Sequence, residues 1–250
     1  MKRLFWDIET SPNICFSWRT GYKINLDTSN IIKERAIICI CWKWEGEKKV
    51  YSLEWDKGDD KELIKKFAVI AEQADEMVAH NGDKFDIKWF NGRNLLHGLS
   101  PLPEYKTVDT YAWSRSKFNL NSHKLDYLAE KLLGRGKIKT SFDLWKNICL
   151  NNDSKAMANM VKYCKRDVDI LEGVYHCIKS YCKPKSHYGV AHGGPRWSCF
   201  QCGSENVAKS KTRITPMGMK QAQFQCKDCG KYYTTSDLVY RQYLEAKHDS

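Results

Sequence analysis

Lys2-Arg3-Leu4-Phe5-Trp6-Asp7-Ile8-Glu9-Thr10 reads as a short strand over residues 2–9. Residues i and i+2 of a strand share a face, so Asp7 and Glu9 project together while Trp6 and Ile8 go to the other side. Two carboxylates on one face repel each other and cost stability unless a cation neutralises them. An oxygen-rich pair of this kind suits Mg²⁺ or Mn²⁺. The competing reading is two solvated charges at a strand end.

Residues 36–44 and 49–54 read as two further strands, with Glu45-Gly46-Glu47 as the turn of a hairpin. Residues 59–73 have helical periodicity through Leu63, Ile64, Phe67 and Ile70. Residues 76–79 form a brief buried strand, 83–96 a helix and 105–110 another short strand. Helices follow over 123–133, with Leu125, Leu128 and Leu132 as a buried stripe, and over 155–179. Strands come first and then alternate with helices, which predicts an α/β fold with a mixed sheet flanked by helices.

Two more acidic stretches stand out. His80-Asn81-Gly82-Asp83-Lys84-Phe85-Asp86 follows a buried strand and opens a helix. Asp83 suits an N-cap, and Phe85, Trp89 and Phe90 are expected to pack inward. Asp86 falls in an early turn near the sheet edge, where an acid also favours the helix dipole. Tyr163 and Asp167 stand at i and i+4 of the last helix and share one face. Read singly, each of these stretches has a structural explanation. Asp109, at a strand end, is either a fifth carboxylate of a shared site or a cap. His80 and His123 read as structural.

Taken in order, the Asp7-Ile8-Glu9-Thr10 stretch, Asn81 through Phe85-Asp86, and Tyr163-x-x-x-Asp167 resemble the DEDD exonuclease superfamily, in the tyrosine subgroup written DEDDy. Weaker echoes are Val108-Asp109-Thr110 and residues 123–134. The resemblance covers residues 1–183 and is nearest to proofreading domains of family-B DNA polymerases. It implies a ribonuclease-H-like fold and two-metal, 3′→5′ hydrolysis of phosphodiesters to 5′-mononucleotides, with two Mg²⁺ or Mn²⁺ ions. Carried onto this chain, Asp7 bridges both ions. Glu9 and Asp167 complete one, Asp86 binds the other, and Tyr163 orients the attacking water. Tyrosine is a poor base at neutral pH, so positioning suits it better than proton abstraction. Asn81 is a candidate for the substrate backbone. The implied substrate is nucleic acid, with single-stranded DNA 3′ ends ahead of RNA, in replication or repair. A non-catalytic nucleic-acid-binding protein on the same fold and a related endonuclease are the rivals.

Composition fits such a partner. The chain has 250 residues and a net charge of +11, which favours a polyanion. No apolar run approaches the ~18 residues of a membrane span, and Asp7 interrupts any apolar signal segment. A cytoplasmic setting, in a bacterial or phage-infected cell, is the expectation. Residues 184–250 hold ten Lys/Arg against five Asp/Glu, so the tail is the more basic part. Residues 184–196, rich in Pro and Gly, read as a linker between residues 1–183 and a small domain over 197–250.

That small domain carries Cys199-Phe200-Gln201-Cys202 and Cys226-Lys227-Asp228-Cys229, each followed by glycine. Two such pairs suit a tetrahedral structural Zn²⁺, and the pattern resembles a zinc ribbon. Residues 211–214 and 221–225 are its expected strands, turning at Pro216-Met217-Gly218, with a short helix around residues 240–244. Lys209, Lys211, Arg213 and Lys220 are candidates for phosphate contacts, and Phe224, Tyr232 and Tyr233 for base stacking. Docking to a polymerase or replication factor is the alternative role. The other cysteines, at 15, 39, 41, 149, 164, 177 and 182, read as buried small hydrophobes.

Overall fold

A strand pairs on both sides only if it sits inside a sheet, and the opening strand does so. The computed structural model describes residues 1–21, 23–135 and 140–248. Contacts divide the chain into one unit of Lys2–Val174 and a second of Tyr175–Ser250 together with Met1.

In the larger unit β1 (Arg3–Thr10) is followed by a small hairpin, β2 (Ile14–Cys15) and β3 (Ile31–Lys33), then by β4 (Ile37–Trp44) and β5 (Tyr51–Glu54). Next come α1 (Lys61–Ala71), β6 (Glu76–Ala79), α2 (Asp86–Leu96), β7 (Lys106–Asp109), α3 (Thr110–Lys117), α4 (Leu125–Leu133), α5 (Phe142–Asn151) and α6 (Ser154–Ile178). The main sheet has the order β5-β4-β1-β6-β7. β1 runs antiparallel to β4 and parallel to β6. This is the expected mixed sheet with helices, and the fold is ribonuclease-H-like.

Alternation sorts the two faces of β1. Trp6 is buried on one side, stacked on Phe67 of α1 at 5.2 Å and edge-on to Phe90 of α2 at 6.2 Å. Asp7 and Glu9 face the other side with their β4 partners Cys41 and Cys39. α6 lies over that face. Cys41 Sγ contacts Val161 O at 3.8 Å, and the buried Lys43 Nζ pairs with Glu172 at 2.5 Å. Asp60 locks the opposite side. Its fully buried carboxylate accepts from Ile37 N at 2.8 Å, Arg93 Nη2 at 2.8 Å and His97 Nε2 at 2.6 Å.

Several local expectations change. Asp83 is exposed and caps nothing. Residues 81–85 are turns, and α2 begins at Asp86 behind Phe85 in the N-cap position. Of the three aromatics expected inside, only Phe90 is buried; Phe85 and Trp89 stay half-exposed under the Arg35 guanidinium, at 5.5 and 4.6 Å. Asp109 acts as a cap. One oxygen accepts from the amides of Tyr111 and Ala112, and also from Asn81 N at 2.9 Å. His80 bridges Thr110 Oγ1 and His123 O, both at 2.9 Å, a structural role.

The second unit holds α7 (Tyr188–Ala191), β8 (Val207–Ile214), β9 (Lys220–Cys226), β10 (Tyr232–Ser236) and α8 (Asp237–His248). The sheet order is β10-β9-β8. Residues 249 and 250 of the expected small domain lie outside the described residues. The stretch 184–196 is folded onto the cysteine-bearing segment rather than left as a bare tether: Tyr188 N donates to Phe200 O at 3.0 Å. A Cβ on Gly189 would stand 2.0 Å from Ser198 Oγ, so glycine there reflects close packing. Among the free cysteines, Cys177 is exposed and Cys15 half-exposed, contrary to a uniform core reading.

Phe224 is 0 % exposed, stacked on Tyr233 at 5.7 Å in the core of this unit, so it has no face left for a base. Tyr233 is buried too, its hydroxyl donating to Trp197 O at 2.6 Å. Both rings serve a domain too small to do without them. Lys211 and Arg213 remain exposed on β8, an outer strand of the sheet.

Candidate functional site

Asp7 and Glu9 reach the same face because they are two residues apart on β1; Asp167 comes down from α6 to meet them. Ligand oxygens of the three lie within 4.8 Å of one another. Asp86 joins from the first turn of α2, accepting from Ile8 N at 3.1 Å, which fixes it against the strand between Asp7 and Glu9. A left-handed Asn81, at φ 67°, makes the bend after β6 that delivers it; asparagine tolerates that conformation better than most residues. Tyr163, one helical turn before Asp167, stands near enough to that carboxylate to feel its charge. The five residues singled out in the sequence therefore converge. The Asn81 amide donates to Asp109 rather than to any of these five, and Lys211 and Arg213 belong to the other unit.

The electrostatics describe a group of acids short of positive charge. Burial, then Asp86, Glu9 and Asp167, hold Asp7 well above the usual carboxylate range. Burial, with Asp167 and Asp86, pushes Glu9 up to about 8. Burial raises Asp86 to about 7 against the opposing pull of the Ile8 amide. Acids gathered this closely repel one another, and a divalent cation is the ordinary balance for an all-oxygen set. The donor set thus fits hard divalent metal. Tyr163 is pushed above its ordinary value by burial, Asp167 and Glu9, so its hydroxyl keeps its proton.

Beside Glu9 opens a hollow of about 360 Å³ lined by Thr10, Arg35, Phe85, Phe142 and Trp145 among others. Arg35 is anchored to Thr10 Oγ1 at 2.6 Å, and Trp145 Nε1 donates to Thr10 O at 3.1 Å. Sequence reasoning missed Arg35, Phe142 and Trp145. The i, i+3 aromatic pair on α5 was the available signal.

The second metal-competent group is Cys199, Cys202, Cys226 and Cys229, whose sulfurs all lie within 4.8 Å of one another. The pairs Cys199–Cys229 and Cys202–Cys226 stand at 3.6 Å, close to the ~3.8 Å edge of a tetrahedron with ~2.3 Å metal–sulfur bonds. Gly203 and Gly230 take positive φ, 79° and 72°, and close each turn back onto Cys199 O and Cys226 O. Ser204 and Asn206 both donate to Asp228, tying one turn to the other. Four thiolates leave no open coordination position, so this group can hold an ion but offers no place for chemistry on it.

No curated protein matches the chain. Among solved structures it is similar to the family B DNA polymerase from the hyperthermophilic archaeon Pyrobaculum calidifontis, with TM-score 0.54 and 16% identity over 72% of this chain. The chain spans only 25% of that polymerase, and at this identity the likeness concerns the fold. Among the described residues no helix is long and apolar enough to cross a membrane. A family model described as the RNase H superfamily matches residues 28–178, from just before β3 to the end of α6 and so across β4, which pairs with the acidic strand, and the helix carrying Tyr163 and Asp167. That match takes in more than half of the sequence, and the chain belongs to the RNase H superfamily.

Proposed function

We propose that the protein is a metal-dependent 3′→5′ exonuclease of the DEDDy type, acting on single-stranded DNA ends. The observation that carries this is the meeting of ligand oxygens of Asp7, Glu9 and Asp167 within 4.8 Å, with Tyr163 one helical turn before Asp167. Superfamily membership and the polymerase-like fold support nucleic acid as the substrate class.

Two Mg²⁺ or Mn²⁺ ions held by Asp7, Glu9, Asp86 and Asp167 would neutralise the phosphate oxygens, activate a water and support the leaving 3′-oxygen. The chain's own residues do the rest. The Ile8 amide holds Asp86 in place. The protonated Tyr163 hydroxyl orients water by hydrogen bonding and takes no proton from it. The hollow beside Glu9 receives the terminal nucleoside, with Phe85, Phe142 and Trp145 offering apolar faces to a base. Arg35 lies there as a fixed positive charge for phosphate. In the C-terminal unit a structural Zn²⁺ on the four cysteines staples a small domain, and Lys209, Lys211, Arg213 and Lys220 give it a basic surface for the strand.

The full chain with Mg²⁺ is expected to shorten 5′-labelled single-stranded DNA stepwise from a free 3′ end and to stop at a 3′-phosphate. Asp7→Asn should abolish this. Digestion of circular single strands, or undiminished cutting by that variant, would sink the assignment.

A further inference from the structure

Three of the seven cysteines outside the C-terminal pairs meet at one point. Cys39 and Cys41 are two apart on β4 and share a face; they stand opposite Glu9 and Asp7 in the β1–β4 register. Cys164 arrives from α6, directly after Tyr163. Their sulfurs lie within 4.8 Å of one another, and each residue is fully buried. Cys164 Sγ is 3.6 Å from Asp7 Oδ2 and 3.5 Å from Asp7 O.

Packing alone asks for small apolar side chains here and sets no condition on where the sulfurs point. Metal binding does set one. In a tetrahedral thiolate site, bonds of ~2.3 Å place sulfurs ~3.8 Å apart. Sulfurs within 4.8 Å need to close by at most about 1 Å to meet that condition. A carboxylate oxygen, Oδ2 of Asp7, stands 3.6 Å from the Cys164 sulfur and is the nearest candidate for a fourth ligand. Thiolates select soft ions, whereas the adjoining carboxylates select hard ones. Two metal preferences thus abut at one shared residue.

We propose that Cys39, Cys41 and Cys164 form a buried site for a thiophilic d¹⁰ cation, Zn²⁺ or Cd²⁺, with Asp7 as its fourth ligand. Binding displaces to solvent the protons held by the three thiols and by the Asp7 carboxyl. An ion seated there draws Asp7 out of the carboxylate group, so soft metal and hard metal compete for it. The inhibition of digestion that follows rests on the exonuclease reading; the binding itself does not.

The test uses the full chain, kept reduced and dialysed against excess Cd²⁺. Two bound cadmium ions per chain are expected, with two cadmium NMR resonances, one of four-sulfur type and one shifted towards fewer sulfurs. Cys164→Ala and Cys39→Ala should each remove the second resonance and leave the first. A single bound ion overturns the proposal, as does a second ion indifferent to both variants. If the variants do not fold, the stoichiometry and resonances of the unaltered chain decide. With Mg²⁺ in excess, filling the second site should stop digestion of single-stranded DNA. Digestion continuing with that site filled removes Asp7 from the ligand set. Absence of digestion before any Cd²⁺ is added refutes the exonuclease reading and leaves the binding result standing.

Discussion

Remove the divalent ions and the larger unit should lose stability as pH rises, the reverse of the usual behaviour of buried acids paired with cations. The sign follows from Glu9, whose pKa is pushed from 4.5 to about 8 in the fold. Between those values the folded chain holds a proton that the unfolded chain has released. Stability then falls with pH, by about 1.4 kcal/mol per pH unit for each such proton. It is fully retained only below the unfolded value near 4.5, and the decline ends as pH passes the folded value near 8. From pH 5 to 7.5 one proton amounts to ~3 kcal/mol, or roughly 6–12 °C in Tm for a unit of this size. Asp86, raised to about 7, acts in the same direction. The assay is thermal unfolding by tryptophan fluorescence, which reports this unit because eight of the nine tryptophans precede residue 184. Magnesium is removed by dialysis without chelator, since a chelator would also strip a thiolate-bound ion. Millimolar Mg²⁺ should flatten the slope and raise Tm most at pH 8. A Tm that is level or rising from pH 5 to 8 without Mg²⁺, or a slope unchanged by Mg²⁺, would refute this account of the site.

Two further outcomes follow. Asp60→Ala strands Arg93, His97 and the Ile37 amide around a buried hole and should cost about 3–5 kcal/mol, read from urea unfolding. Tyr163→Phe should lower kcat on the order of 10–100-fold through a misplaced water, with the shape of the pH–rate profile unchanged, because this hydroxyl does not titrate in the working range; a shifted acid or basic limb would make Tyr163 a proton carrier instead.

Much of the site was legible because its chemistry rides on local periodicities. The i, i+2 spacing of Asp7 and Glu9 and the i, i+4 spacing of Tyr163 and Asp167 each fix a shared face without knowledge of the fold. Phe224 shows the same logic neglected: Ala222, Phe224 and Cys226 alternate along β9 and are all buried, a period of two that assigns the ring to the core before any base is considered. Asp83 and Asp86 were separable only through the turns at 81–85, which delay the helix by three residues. α5 was missed because its stripe is incomplete, with Phe142 and Leu150 exposed. The thiol cluster has only half a local signature: Cys39 and Cys41 share a face of β4, but over 120 residues separate Cys41 from Cys164 and only the tertiary fold brings the third thiol to them.

The place of β1 has a consequence for biosynthesis. β1, made before the other strands of this sheet, is its central strand, and it cannot be flanked on both sides until β4 and β6 have followed. Its acids then wait longer, because Asp167 is the last of the set to be translated. At ~5–20 residues per second, the interval between Asp7 and Asp167 is roughly 8–30 s. A nascent chain of this protein therefore carries an incomplete carboxylate group throughout that interval. An enzyme able to degrade nucleic acid would acquire that ability only after nearly all of its larger unit has been made.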